Sequence, residues 1–79
     1  MEESILKLKK EELIDIINFV TTRLEVSPQD LQIKYSWGYN QAGRIIDFLE
    51  DMKVISEYEY PKKRKVLLSN EDALTVCLT

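Results

Sequence analysis

The stretch Trp37-Gly38-Tyr39-Asn40-Gln41-Ala42-Gly43-Arg44-Ile45-Ile46-Asp47-Phe48-Leu49-Glu50 sets the architecture of this chain. Ala42, Ile45, Ile46, Leu49 and Met52 recur at helical spacing, while Asn40, Gln41, Arg44, Asp47 and Asp51 occupy the opposite side. The pattern predicts an amphipathic helix from about Tyr39 to Lys53, entered from a tight turn in which Gly38 supplies backbone freedom. Gly43 inside the helix costs ~1 kcal/mol relative to alanine, so it points to close approach of another backbone or of a ligand.

Upstream, Ser27-Pro28-Gln29-Asp30 is a helix start, with serine as N-cap, proline at the first helical position and an acid in the first turn. Leu31, Ile33 and Tyr35 are the apolar residues of the short helix that follows. Before it, Leu13, Ile16, Ile17, Val20 and Leu24 form the apolar stripe of a helix from Lys9 to Leu24, with Glu11, Glu12, Asp15 and Arg23 on its other side. Phe19 falls off that stripe, near Ile5 and Leu8 on a helical wheel, and reads as a local packing aromatic. Glu25-Val26 is a short extended link.

Downstream, Val54 to Tyr58 and Lys65 to Leu68 read as two strands of a hairpin with Pro61 and the run Lys62-Lys63-Arg64-Lys65 at its tip. Ser69-Asn70-Glu71-Asp72-Ala73 then caps a short helical or irregular tail. The order helix, short strand, helix, turn, helix, hairpin predicts an α+β, mainly α winged helix-turn-helix: three helices plus a small antiparallel β-hairpin wing. At 79 residues there is room for one domain, spanning 1–79 with its core at about 10–68 and a tail at 69–79.

In such a fold the third helix enters the major groove and the wing touches the DNA backbone. The amides of Asn40 and Gln41 suit adenine, and the guanidinium of Arg44 suits guanine or a phosphate. Lys34 and Tyr39 flank the helix N-terminus, where a phosphate is favoured by the helix dipole. Trp37 and Tyr39 read first as core aromatics beside a turn, with stacking near the backbone as the second role. Lys62, Lys63, Arg64 and Lys65 provide sequence-independent affinity through counterion release, or else simply blunt a sheet edge.

The formal net charge is -3, but residues 1–30 hold four basic and seven acidic side chains against seven and five in residues 31–65. The acids Asp47, Glu50 and Asp51 follow Arg44 and are expected to sit away from the duplex. Double-stranded DNA is the expected partner; a winged helix that binds protein without DNA is the alternative, favoured by the acidic sum.

Enzymatic activity is not expected. The chain has no histidine, its carboxylates lie along solvated helical faces, and Ser27 and Ser36 have no visible base. One cysteine, Cys77, cannot form an internal disulfide and sits in an apolar tail, so it reads as a packed or frayed thiol rather than a reactive one. No metal or cofactor is expected, and no apolar run is long enough to span a bilayer. A cytoplasmic location is expected, with the option of a larger membrane-tethered parent.

From Gly38 to Glu50 the chain resembles the C-terminal gamma domain of FtsK/SpoIIIE-type bacterial DNA translocases, most specifically at Gly38-Tyr39-Asn40 with Ala42 and Arg44. Val26 to Tyr35 resembles that family's second helix, and Val54-Ile55 with Arg64-Lys65-Val66-Leu67 its wing strands. The resemblance implies a winged helix that recognises short, oriented chromosomal sequences, directs a hexameric ATPase motor in chromosome segregation and binds DNA as several copies. It carries recognition-helix roles onto Asn40 and Arg44, and the basic wing onto Arg64 and Lys65. The chain departs from the family pattern at Gln41, usually basic, and at Gly43, often alanine. No nucleotide-binding loop is present, so an ATPase would lie in another segment or protein; a free-standing relative without a motor is the other setting.

Overall fold

The computed structural model describes residues 8–78; Ile5 lies outside them. Among the described residues four helices and a small antiparallel sheet form a winged helix: α1 (Lys10–Thr21), β1 (Glu25–Val26), α2 (Pro28–Tyr35), α3 (Tyr39–Asp51), β2 (Arg64–Lys65) and α4 (Asn70–Leu78).

Helix α1 starts where the Lys9 N–H donates to Glu12 Oε1 at 2.9 Å. It stops at Thr21, earlier than the apolar spacing predicts. Two successive threonines turn their hydroxyls onto the helix's own carbonyls, Thr21 onto Ile17 O and Thr22 onto Phe19 O, which favours termination. The chain therefore leaves the helix before Leu24, and that side chain is 89% exposed, where the sequence places it in the core stripe. Ile16, Ile17 and Val20 are buried as expected.

Helix α2 is capped as predicted: the Ser27 N–H donates to Asp30 Oδ2 at 2.8 Å, with Pro28 in the first turn. Its apolar residues divide differently from the expectation. Leu31 is buried and Tyr35 half-buried, but Ile33 is 73% exposed. A spacing of two residues points to opposite sides of a helix, so Leu31 and Tyr35 share a face that Ile33 cannot join.

The turn between α2 and α3 takes its left-handed residue from Ser36 (φ 59°, ψ 34°), not from Gly38 as expected. Gly38 is extended (φ -73°, ψ 168°) and precedes α3, and its carbonyl accepts the Ala42 N–H at 3.1 Å. Trp37 stacks on Tyr35 with ring centroids 4.7 Å apart, and Phe19 meets the Tyr35 edge at 6.1 Å, so three aromatics close the seam between α1 and the turn. The Tyr35 hydroxyl donates to Asp15 Oδ2 at 2.7 Å.

Helix α3 buries Ala42, Ile45, Ile46 and Leu49, with Met52 half-buried beside them, which is the predicted face. Close packing does not explain Gly43, since a Cβ built there meets nothing within 4 Å. After α3 the chain reverses at Lys53, whose φ is 67°, and buries Val54 and Ile55.

The wing is more loosely paired than two regular strands. The two arms meet at Ile55↔Val66 and Glu59↔Lys62, and the returning arm pairs instead with β1, Glu25 opposite Lys65 and Val26 opposite Arg64. Burial of Val26, Ile55 and Val54 explains this choice: the returning segment is sandwiched at its base, while the exposed tip holds a turn closed by Lys62 N–H to Glu59 O at 2.7 Å. The tail forms α4, started by Ser69 Oγ accepting the Asp72 N–H and docked on α1 through Ala73 and an Asn70 amide that donates to Asn18 Oδ1 and Thr21 Oγ1. Cys77 is half-buried there, and burial pushes its thiol pKa up.

Candidate nucleic-acid interface

The exposed face of α3 carries Asn40, Arg44, Asp47 and Asp51, spaced so that all four form one stripe. A groove of about 420 Å³ runs along it, lined by Pro28, Tyr39, Asn40, Gly43, Arg44, Asp47 and Arg64. A second groove of about 660 Å³ continues between the N-terminus of α2 and the wing; its walls are Ser27, Pro28, Gln29, Gln32, Tyr39, Tyr58, Pro61, Lys62, Lys63 and Arg64. Pro28, Tyr39 and Arg64 line both, and Tyr39 is 70% exposed rather than a core aromatic.

Six of the nine residues singled out from sequence thus meet on one surface: Tyr39, Asn40, Arg44, Lys62, Lys63 and Arg64. The others line neither groove. Gln41 is half-buried, one helical step from Asn40 and turned toward the domain. Lys34 lies with its Nζ 5.4 Å from the centroid of the Phe19 ring, a cation–π position on α2. Lys65 is exposed on another side of the wing, in a concavity shared with Glu57, Glu59, Lys62 and Lys63.

The acids behind Arg44 divide. Asp47, expected to sit away from Asn40 and Arg44, instead lines the groove with them, because a seven-residue step along a helix returns to nearly the same face. Glu50 turns to the wing, where Arg64 Nη1 donates to its Oε1 at 2.5 Å.

The basic run is therefore not four equivalent charges. Arg64 pairs with Glu50, donates to the Ser56 carbonyl at 3.3 Å and lies 5.6 Å from the centroid of the Tyr58 ring. Lys63 Nζ reaches Asp30 Oδ2 at 3.3 Å, and Arg23 approaches the same carboxylate at 3.6 Å. Burial alone would raise the Asp30 pKa; the Ser27 N–H, Lys63 and Arg23 outweigh it and hold the carboxyl below its ordinary value. Lys62 and Arg44 have no acidic partner within 4 Å among the described residues.

Sequence reading missed Gln29, Gln32 and Tyr58. The two glutamines do follow a helix start at a three-residue spacing, a signal for one exposed face of α2. Tyr58 carried no such signal, because its proximity to Arg64 depends on how the wing folds back. Among the described residues no group of His, Cys, Asp or Glu is placed to hold a metal ion, and no helix is long and apolar enough to cross a membrane.

Comparison with known proteins agrees with this architecture. The chain is 35% identical over 71 residues to the DNA translocase SftA of Bacillus subtilis, which covers 90% of this chain and 8% of SftA. It is 38% identical over 64 residues to the DNA translocase FtsK of Clostridium tetani, covering 81% of this chain and 9% of that protein. Over 41 residues it is 46% identical to the DNA translocase SpoIIIE of Bacillus subtilis, covering 52% of this chain and 5% of SpoIIIE. The chain thus spans less than a tenth of the length of each of these relatives. The model of the Ftsk gamma domain family matches residues 9–69, from the start of α1 through the wing, and the chain belongs to that family.

Proposed function

We propose that this domain binds double-stranded DNA, with α3 in the major groove and the wing along the backbone. The observation that carries the reading is the placement of Asn40 and Arg44, one helical turn apart on the exposed face of α3, in a groove that continues to Lys62 and Lys63. Asn40 presents an amide able to pair with adenine, and Arg44 a guanidinium able to pair with guanine through two hydrogen bonds. Lys62 and Lys63 supply phosphate contacts, and Lys34, Gln41 and Lys65, which line neither groove, would act only at the margins of a bound duplex.

In this reading the domain gives a DNA translocase its sense of direction on the chromosome, in the cytoplasm and as several copies side by side. It performs no catalysis itself and needs no cofactor; the motor lies elsewhere. Membership of a family found in DNA translocases supports this role.

A second reading, a winged helix that binds protein and not DNA, is favoured by one observation, the presence of Asp47 in the same groove as Arg44. Titration of a fluorescent random-sequence duplex at several salt concentrations separates the two. DNA binding by the wing gives an affinity that falls steeply with salt, whereas absence of binding at low salt leaves only the protein-binding reading.

A further inference from the structure

We propose that Arg64 is a positioning residue that locks the wing onto α3, and that the phosphate contacts of the wing belong to its lysines. This rests on the DNA-binding reading above and assigns a separate task to one member of the basic run. Arg64 has a side-chain exposure of 13%, whereas Lys63 next to it has 45%. Its guanidinium is engaged on three sides: by the Glu50 carboxylate of α3, by the Ser56 carbonyl of the outgoing arm and by the Tyr58 ring.

Those three partners belong to the two units whose relative placement a duplex would sense. Glu50 stands on the helix that carries Asn40 and Arg44, and Ser56 and Tyr58 stand on the arm that leads to Lys62 and Lys63. The planar guanidinium has several fixed donors and can bridge these groups at once, which the point charge of a lysine cannot reproduce. Backbone pairing does little of this work toward the tip. Between the Ile55↔Val66 bridge and the tip turn, the arms share the Ser56 N–H to Lys65 O bond and the Lys65 N–H to Ser56 Oγ bond, at 2.9 Å each. Arg64 ties that segment to the recognition helix.

The two roles predict opposite signs for a change at Glu50. If Arg64 were a phosphate ligand held back by Glu50, Glu50→Ala would free a cation, remove the acid beside it and tighten binding. If Arg64 is the strut, the same change loosens the wing and weakens binding despite the more favourable net charge.

The experiment measures binding of the full chain to a random-sequence duplex by fluorescence anisotropy, for wild type, Glu50→Ala, Arg64→Lys and the charge-reversed pair Glu50→Arg with Arg64→Glu. Circular dichroism first establishes that each variant is folded. Glu50→Ala and Arg64→Lys are expected to weaken binding roughly threefold to tenfold, and the reversed pair to recover part of the loss. Tighter binding by Glu50→Ala, or an Arg64→Lys variant equal to wild type, overturns the proposal.

Amide hydrogen exchange at Ser56 and Lys65 provides a readout without DNA. Glu50→Ala should lose protection there while α1 and α3 keep theirs; unchanged protection overturns the proposal even if wild type binds DNA. Loss of protection together with no DNA binding by wild type would instead retain the strut and remove the DNA-binding reading.

Discussion

Lys63 Nζ lies 3.3 Å from Asp30 Oδ2, so an exposed lysine of the wing rests on the carboxylate that caps α2. The same carboxylate accepts the Ser27 N–H, which makes Asp30 a joint between a helix start and the wing. Substituting Asp30 removes both contacts at once. Asp30→Ala should destabilise the domain by ~1–2 kcal/mol, mostly through the lost cap because the ion pairs are partly exposed. Chemical denaturation of the two proteins measures this.

The depressed pKa of Asp30 gives the same joint a pH signature. The folded state holds the carboxyl below its ordinary value of 3.8, so the unfolded chain takes up the proton first as pH falls. The stabilisation is fully present above pH 3.8 and is lost as pH drops from there through the lower folded value. Thermal melts at descending pH should show a smaller acid loss for Asp30→Asn than for wild type. Parallel loss in both proteins would place the acid sensitivity elsewhere.

Gly43 is helical, faces the α3 groove and has open space where a side chain would project. Gly43→Ala should raise stability by ~0.4–1 kcal/mol, chiefly by restricting the unfolded chain. For a domain of this size that corresponds to an increase of several degrees in Tm. A lower Tm would mean that the groove is less open than it is here.

The wing lysines should contribute unequally to the salt dependence of DNA binding. Lys62 is exposed with no acidic partner among the described residues, whereas Lys63 must leave Asp30 before it meets a phosphate. Lys62→Ala is expected to flatten the slope of log affinity against log salt by about one unit, and Lys63→Ala by less. Equal changes would show that the Asp30 contact exerts no hold.

Arg44→Ala should compress the range of affinities among different duplexes, costing ~1–3 kcal/mol on the preferred sequence and little on the others. Lys62→Ala should lower all of them alike. Affinity selection from a random pool, followed by measurement on the selected and scrambled duplexes, tests the contrast; a uniform loss from Arg44→Ala would move that residue from base to backbone contact.

Much of this protein was readable along the chain. The buried face of α3, the Ser27 cap with Asp30, the Ser69 start of α4 and the order of elements all follow from interactions within a few residues, where hydrophobic period and capping chemistry act directly. Asn40 and Arg44 could be placed on one exposed face for the same reason. Leu24 and Ile33 could not be placed so simply, because a helix end and a two-residue spacing exposed side chains that composition alone would bury. What pairs with the basic run was out of reach. Arg64 meets Glu50 across 14 residues and Lys63 meets Asp30 across 33, and such partnerships exist only once the wing has folded back against both helices. Local pattern therefore specified α3 and its exposed face, while tertiary packing separated one arginine held in an internal network from the lysines around it.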